Sequence, residues 1–90
     1  MRIRTQDRTS SVDIDGMIIN IVTDPQEVET QCAIVADKLE TINMKLLGIY
    51  STEEKALKVI DMIEDAYEDA NMLYVSNTVF HMPADEEVIV

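Results

Sequence analysis

An α+β domain is the fold this 90-residue sequence predicts, on three observations. A strongly amphipathic helix occupies the second half, short segments with alternate apolar residues stand near the N-terminus, and an apolar pair ahead of a proline reads as a strand near the end. One domain covering residues 1–90 is expected, near the small end of what folds alone, because a chain this size hides only about 60% of the surface its unfolded form exposes. With three Tyr, one Phe and no Trp, its core must be built from Ile, Val, Leu, Met and Ala. A homo-oligomer that buries one more face suits so thin a core.

Taken in order, Arg2 to Gln6 alternates polar residues with Ile3 and Thr5, which predicts a short strand with one buried side. Val12 and Ile14 alternate with Asp13 and Asp15, and then Asp15-Gly16 interrupts. Asp-Gly favours a tight hairpin turn because both central positions accept positive φ. The expected pairing is therefore Ser11 to Ile14 against Met17 to Val22, with Ile19 and Ile21 on one face and Ile18, Asn20 and Val22 on the other.

The middle supports two readings. Asp24 as N-cap, Pro25 at the first helical position and Glu27 three residues after the cap make a helix start. Val28, Cys32, Val35, Leu39 and Ile42 then follow at spacings of four and three, which is helical. The competing reading makes QCAIVA a buried strand, DKLETIN a connection and MKLLGIY its antiparallel partner. Periodicity does not separate the two for so short an apolar run.

After Tyr50 the pattern is unambiguous. Ser51 is a suitable N-cap with Glu54 three residues later, a capping box, and Glu53 and Glu54 favour the positive helix end. Ala56, Leu57, Ile60, Ile63 and Tyr67 recur at helical spacing, so a helix is predicted from about Thr52 to about Ala70. Val79 and Phe80 read as a short strand stopped by Pro83, and Val88-Ile89-Val90 is an apolar end that is either frayed or docked.

Eighteen acidic residues against seven Lys plus Arg give a formal charge of −11. Such a surface repels phosphate backbones, so general nucleic-acid binding is disfavoured. Cys32 is the only cysteine, which leaves no intramolecular disulfide and suits a reducing compartment. No apolar run resembles a signal sequence or a membrane span, and a cytoplasmic protein is expected.

With MRIRTQDRT at the start, LGIYSTEEKALKVIDMIEDAY in the second half and VFHMPADEEV near the end, the chain resembles a family of short, mostly uncharacterised proteins encoded by phages and prophages of Firmicutes. The likeness covers both ends well and the middle poorly. Members place a strand ending in Leu-Gly-x-Tyr directly before the helix, here Leu47, Gly48 and Tyr50. The resemblance thus implies the strand reading of the middle, with a small antiparallel sheet packed against one main helix at about residues 52–70. It implies no catalytic motif. Its context is that of small accessory phage genes, whose products often bind and disable a host component, including bacterial immune systems.

Two sets of residues are candidates for binding. Asp61, Asp65 and Asp69 stand four apart, as do Glu64 and Glu68, making an acidic helix face that is either a solvated surface or a docking surface for a basic groove. Arg2 and Arg4 fall on one strand face with Arg8 nearby, and two guanidiniums there suit a phosphate or carboxylate unless they pair with the chain's own acids. Tyr50 is the tyrosine assigned to stacking in that second scheme. His81 is the lone histidine and Cys32 sits among apolar residues, so neither a zinc site nor a catalytic arrangement is written, and no cofactor is expected.

The function expected is stoichiometric binding without catalysis. In the first version a phage or prophage protein occupies a host protein target through Asp61, Glu64, Asp65, Glu68 and Asp69, antagonising a host process such as anti-phage immunity. In the second, Arg2, Arg4, Arg8 and Tyr50 sequester a small nucleotide signal. A structural or regulatory phage component is the third possibility.

Overall fold

The computed structural model describes residues 1–23, 31–38, 41–72 and 79–90, with the side chains of 41–43 and 70–72 outside that description. Among the described residues six strands and one long helix follow in the order β1 (Arg2–Arg4), β2 (Ser11–Asp13), β3 (Ile18–Thr23), β4 (Cys32–Lys38), β5 (Thr41–Tyr50), α1 (Glu53–Met72) and β6 (Val79–His81), with a short 3₁₀ turn at Asp85–Glu87. The fold is α+β. Among the described residues no helix is long and apolar enough to cross a membrane.

The strands form two sheets of three, ordered β2-β1-β6 and β3-β4-β5. The second sheet is antiparallel throughout, whereas β1 pairs antiparallel with β2 and parallel with β6. The middle of the chain is therefore strand at Cys32–Lys38 and Thr41–Tyr50, and the helical reading of Cys32, Val35 and Ile42 is corrected. The proposed cap at Asp24, Pro25 and Glu27, with Val28 and Leu39, lies outside the described residues.

The hairpin expected around Asp15-Gly16 is also corrected. Its turn forms, with the Met17 N–H donating to the Ile14 carbonyl at 3.0 Å and Gly16 at φ 76°. Yet β2 pairs with β1 and β3 pairs with β4, so the turn carries the chain from one sheet to the other. The reason is burial: Ile19 and Ile21 pack towards α1 opposite Ala36 and Ile34, while Val12 pairs with the buried Ile3. Local turn chemistry determined the bend and distant apolar partners determined the pairing.

On β4, Cys32, Ile34 and Ala36 point into the core, where they meet Ala56, Val59 and Ile63 of α1. On β5, Gly48 opposes Ile34 and Leu46 opposes Val35, so Leu47 is an extra residue in a bulge. The bulge turns Leu47 into the core and leaves Leu46 on the far face of the sheet. Ile3, Ile14, Tyr50, Met82 and Val88 complete the same apolar cluster, which docks the C-terminal segment at Val88 while Ile89 and Val90 stay exposed.

Polar groups join the layers. The Gln6 side chain bonds both backbone groups of Ile49 and donates to the Pro83 carbonyl at 3.3 Å, while the Gln6 N–H donates to the Leu47 carbonyl at 2.8 Å. Gly48 sits under this junction, where an added Cβ would lie 3.2 Å from the Gln6 Cβ and 3.2 Å from the Tyr50 ring. Asp85 accepts the Ser51 N–H at 2.8 Å and receives Lys55 at 3.5 Å, which ties the C-terminal segment to the start of α1.

Candidate binding surfaces

The acidic face is built by the way α1 is capped and buried. Thr52 caps it, its hydroxyl accepting the Lys55 N–H at 3.2 Å, and Glu53 and Glu54 occupy the first turn. Ser51, the cap expected from the sequence, instead directs both its N–H and its hydroxyl to Asp85. At about 100° per residue, burial of Ala56, Val59 and Ile63 turns Asp61, Glu64, Asp65, Glu68 and Asp69 outward, and all five are exposed.

None of the five makes an ion pair among the described residues, where the ion pairs are the N-terminal ammonium with Asp15 and Lys55 with Asp85. The last turn of α1 carries no basic residue. The carboxylates therefore repel one another at i,i+4 spacing and oppose the helix dipole, each pair costing a few tenths of a kcal/mol. The helix is held by its buried stripe rather than by its surface charges.

A cleft of about 330 Å³ borders this ridge, lined by Ile14, Gly16, Met17, Ile19 and Ile63 with Glu64 and Tyr67. The sequence pattern does not reveal it, since Tyr67 there belongs to the apolar stripe of the helix. Tyr67 is 42% exposed. The walls of the cleft come from the β2–β3 turn and α1, segments some fifty residues apart, and helical periodicity carries no signal of that meeting.

The N-terminal arginines lie on a different surface. Arg2 and Arg4 share the outward face of β1, opposite Asp13 and Ser11 on β2 and opposite Val79 and His81 on β6. Arg8 stands in the following turn at φ 67°, and its carbonyl accepts a bond from the Arg4 guanidinium at 3.3 Å. That turn is organised by Asp7, which accepts the Thr5 hydroxyl at 2.7 Å, the Thr9 hydroxyl at 2.8 Å and the Thr9 N–H at 3.1 Å. These bonds, that from Thr5 foremost, hold the Asp7 carboxyl below its ordinary pKa. None of the three arginines makes an ion pair among the described residues, and His81 joins their face by strand register alone.

Tyr50 does not belong with them. Its side chain is fully buried and its hydroxyl donates to the Pro83 carbonyl at 2.8 Å. Burial, with Asp85 and Glu87 adding negative potential, pushes the phenol pKa upward. A ring enclosed in this way cannot stack on a base, so its assignment to ligand binding is corrected.

Residues 17–78 match the family described as "Domain of unknown function (DUF7336)", and the chain belongs to that family. No solved structure matches it.

Proposed function

We propose that this member of the DUF7336 family is a non-catalytic binding protein that engages a basic surface of a protein target through Asp61, Glu64, Asp65, Glu68 and Asp69. The observation that carries the reading is the exposure of all five carboxylates in one uncompensated ridge beside an apolar cleft. Charge supplies steering and the cleft supplies apolar area, the two parts a protein interface combines. The resemblance to proteins of Firmicutes phages and prophages supplies the setting: a protein of the host-cell cytoplasm, acting as an oligomer to antagonise a host process such as anti-phage immunity.

The test is affinity purification of the parent chain and of a variant with the five acids changed to Asn or Gln, from lysate of a phage-infected host. The parent retains a partner with a basic surface and releases it at about 0.5 M salt, where screening is strong. The neutralised variant retains none. Equal recovery of the same partner by both chains would end the docking role of the ridge.

A second reading has its own observation, the gathering of Arg2, Arg4 and His81 on one sheet face with Arg8 beside it. In it this face holds the phosphates of a small nucleotide signal, without help from Tyr50. Changing the three arginines to Gln then abolishes nucleotide capture in equilibrium dialysis, and unchanged affinity refutes the scheme.

A further inference from the structure

The face of the β3-β4-β5 sheet that points away from α1 is open and apolar. Ile18 and Val22 on β3 and Leu46 and Ile49 on β5 are between 40 and 51% exposed, while Val35 between them on the central strand is only 7% exposed. Strand register arranges the face in rows: Val22, Ala33 and Ile49 form one, Asn20, Val35 and Leu46 the next, and Ile18 with Asp37 the third. Strands about 4.8 Å apart, rising about 3.3 Å per residue, spread these rows over on the order of 300 Å². A footprint of that extent is comparable to the largest apolar patch of a typical monomer, which is often functional.

We infer that a second copy of the chain packs on this face, sheet against sheet, about a two-fold axis. The charge distribution selects that occupant. Each copy carries −11, so self-association through the α1 ridge would set carboxylates against carboxylates. Among the described residues the outer sheet face carries one carboxylate, Asp37, at one end of its central strand. A basic partner would find little on it to recognise, whereas an identical apolar face is complementary to it by shape and by the absence of charge.

An axis through Val35 and perpendicular to β4 sets the central row on its own copy and places Val22 of each chain over Ile18 of the other. The two Asp37 carboxylates then lie at opposite ends, about 13 Å apart along the strand direction, beyond the reach of strong repulsion at ordinary salt. A stable interface hides about 800 Å² per partner, and the apolar rows supply its centre while flanking polar residues make the rim.

Oligomerisation is part of the function proposed above, and the added content is the face that produces it. The experiment is light scattering on the purified full chain up to about 100 μM, in low salt and in about 1 M salt, with no target present. Its failure therefore leaves the target-binding reading untouched. The expected mass is twice 10.2 kDa, retained or strengthened at high salt because only repulsion is screened. Leu46→Glu and, separately, Val22→Glu weaken the dimer at least tenfold with an unchanged circular dichroism spectrum, since both side chains are already half exposed in one copy. The milder Val22→Thr serves if either Glu variant misfolds, and it too weakens association. Asp61→Asn with Asp65→Asn leaves the mass at the dimer value. A parent chain that stays at 10.2 kDa throughout, or Leu46→Glu and Val22→Glu variants that keep the parental mass, overturns the inference.

Discussion

The side-chain amide of Gln6 pairs with both backbone groups of Ile49, its Oε1 accepting the Ile49 N–H at 2.8 Å and its Nε2 donating to the Ile49 carbonyl at 3.0 Å. A side chain thus takes the place of a neighbouring strand along the outer edge of β5, and it joins the two sheets at the bulge. Replacing Gln6 by Ala leaves these backbone groups without that partner and is expected to cost about 1 to 3 kcal/mol in urea unfolding. Asn, one methylene shorter, does not restore the loss.

The carboxyl of Asp85 is held below its ordinary pKa, first by the Ser51 N–H and then by the Ser51 hydroxyl and Lys55, against a smaller opposing effect of desolvation. A depressed folded-state pKa favours the ionised form in the folded chain. Its contribution is complete above the ordinary carboxylate value and is lost as the pH falls through the folded value. The melting temperature is therefore expected to fall on acidification below about pH 4, with a shallower slope in Asp85→Asn. Equal slopes for the two proteins between pH 2 and 5 would exclude this linkage.

Neutralising Asp61, Glu64, Asp65, Glu68 and Asp69 together is expected to stabilise the chain by roughly 0.5 to 1.5 kcal/mol at low ionic strength, through relief of like-charge pairs. The gain shrinks towards zero at about 1 M salt, where the Debye length is about 3 Å. Thermal unfolding of parent and variant across a salt series reads both effects, and the same protein serves the target-binding test.

Ile34 is fully buried at the centre of β4, between the strands and α1. Ile34→Ala is expected to cost about 2 to 5 kcal/mol, a large share of the stability of so small a domain. Tyr50→Phe removes one bond to Pro83, whose carbonyl keeps the contact from Gln6, and is expected to cost only about 1 kcal/mol. Denaturant unfolding distinguishes these magnitudes directly.

The long helix was legible because its apolar residues recur at one period and a cap precedes them. Even there the cap falls at Thr52, because Ser51 is engaged by Asp85 from a segment thirty-four residues away. The short strands at Arg2 and Val79 were legible from alternation and from the following proline. Their partners were not, since β1 pairs parallel with a strand that lies at the other end of the chain.

The middle resisted reading for a physical reason. β4 is the central strand of its sheet, with Cys32, Ile34 and Ala36 facing the helix and Val35 largely buried on the far side. A strand apolar on both faces loses the period of two, and its residues then satisfy a helical spacing equally well. The acidic ridge was visible in the sequence, while the cleft beside it and the burial of Tyr50 were not, because both depend on contacts between distant segments.

By itself the sequence determined the position of α1, the bend at Asp15-Gly16, the two faces of β3 and the acidity of the surface, all of which follow from interactions within a few residues or from composition. Only the tertiary structure decided which strands pair, that the Asp-Gly turn links two sheets, that Tyr50 is enclosed and that Leu46 and Ile49 face outward. Pairing is settled by burial shared between segments far apart in the chain, and local propensity carries no record of which distant surface will be there.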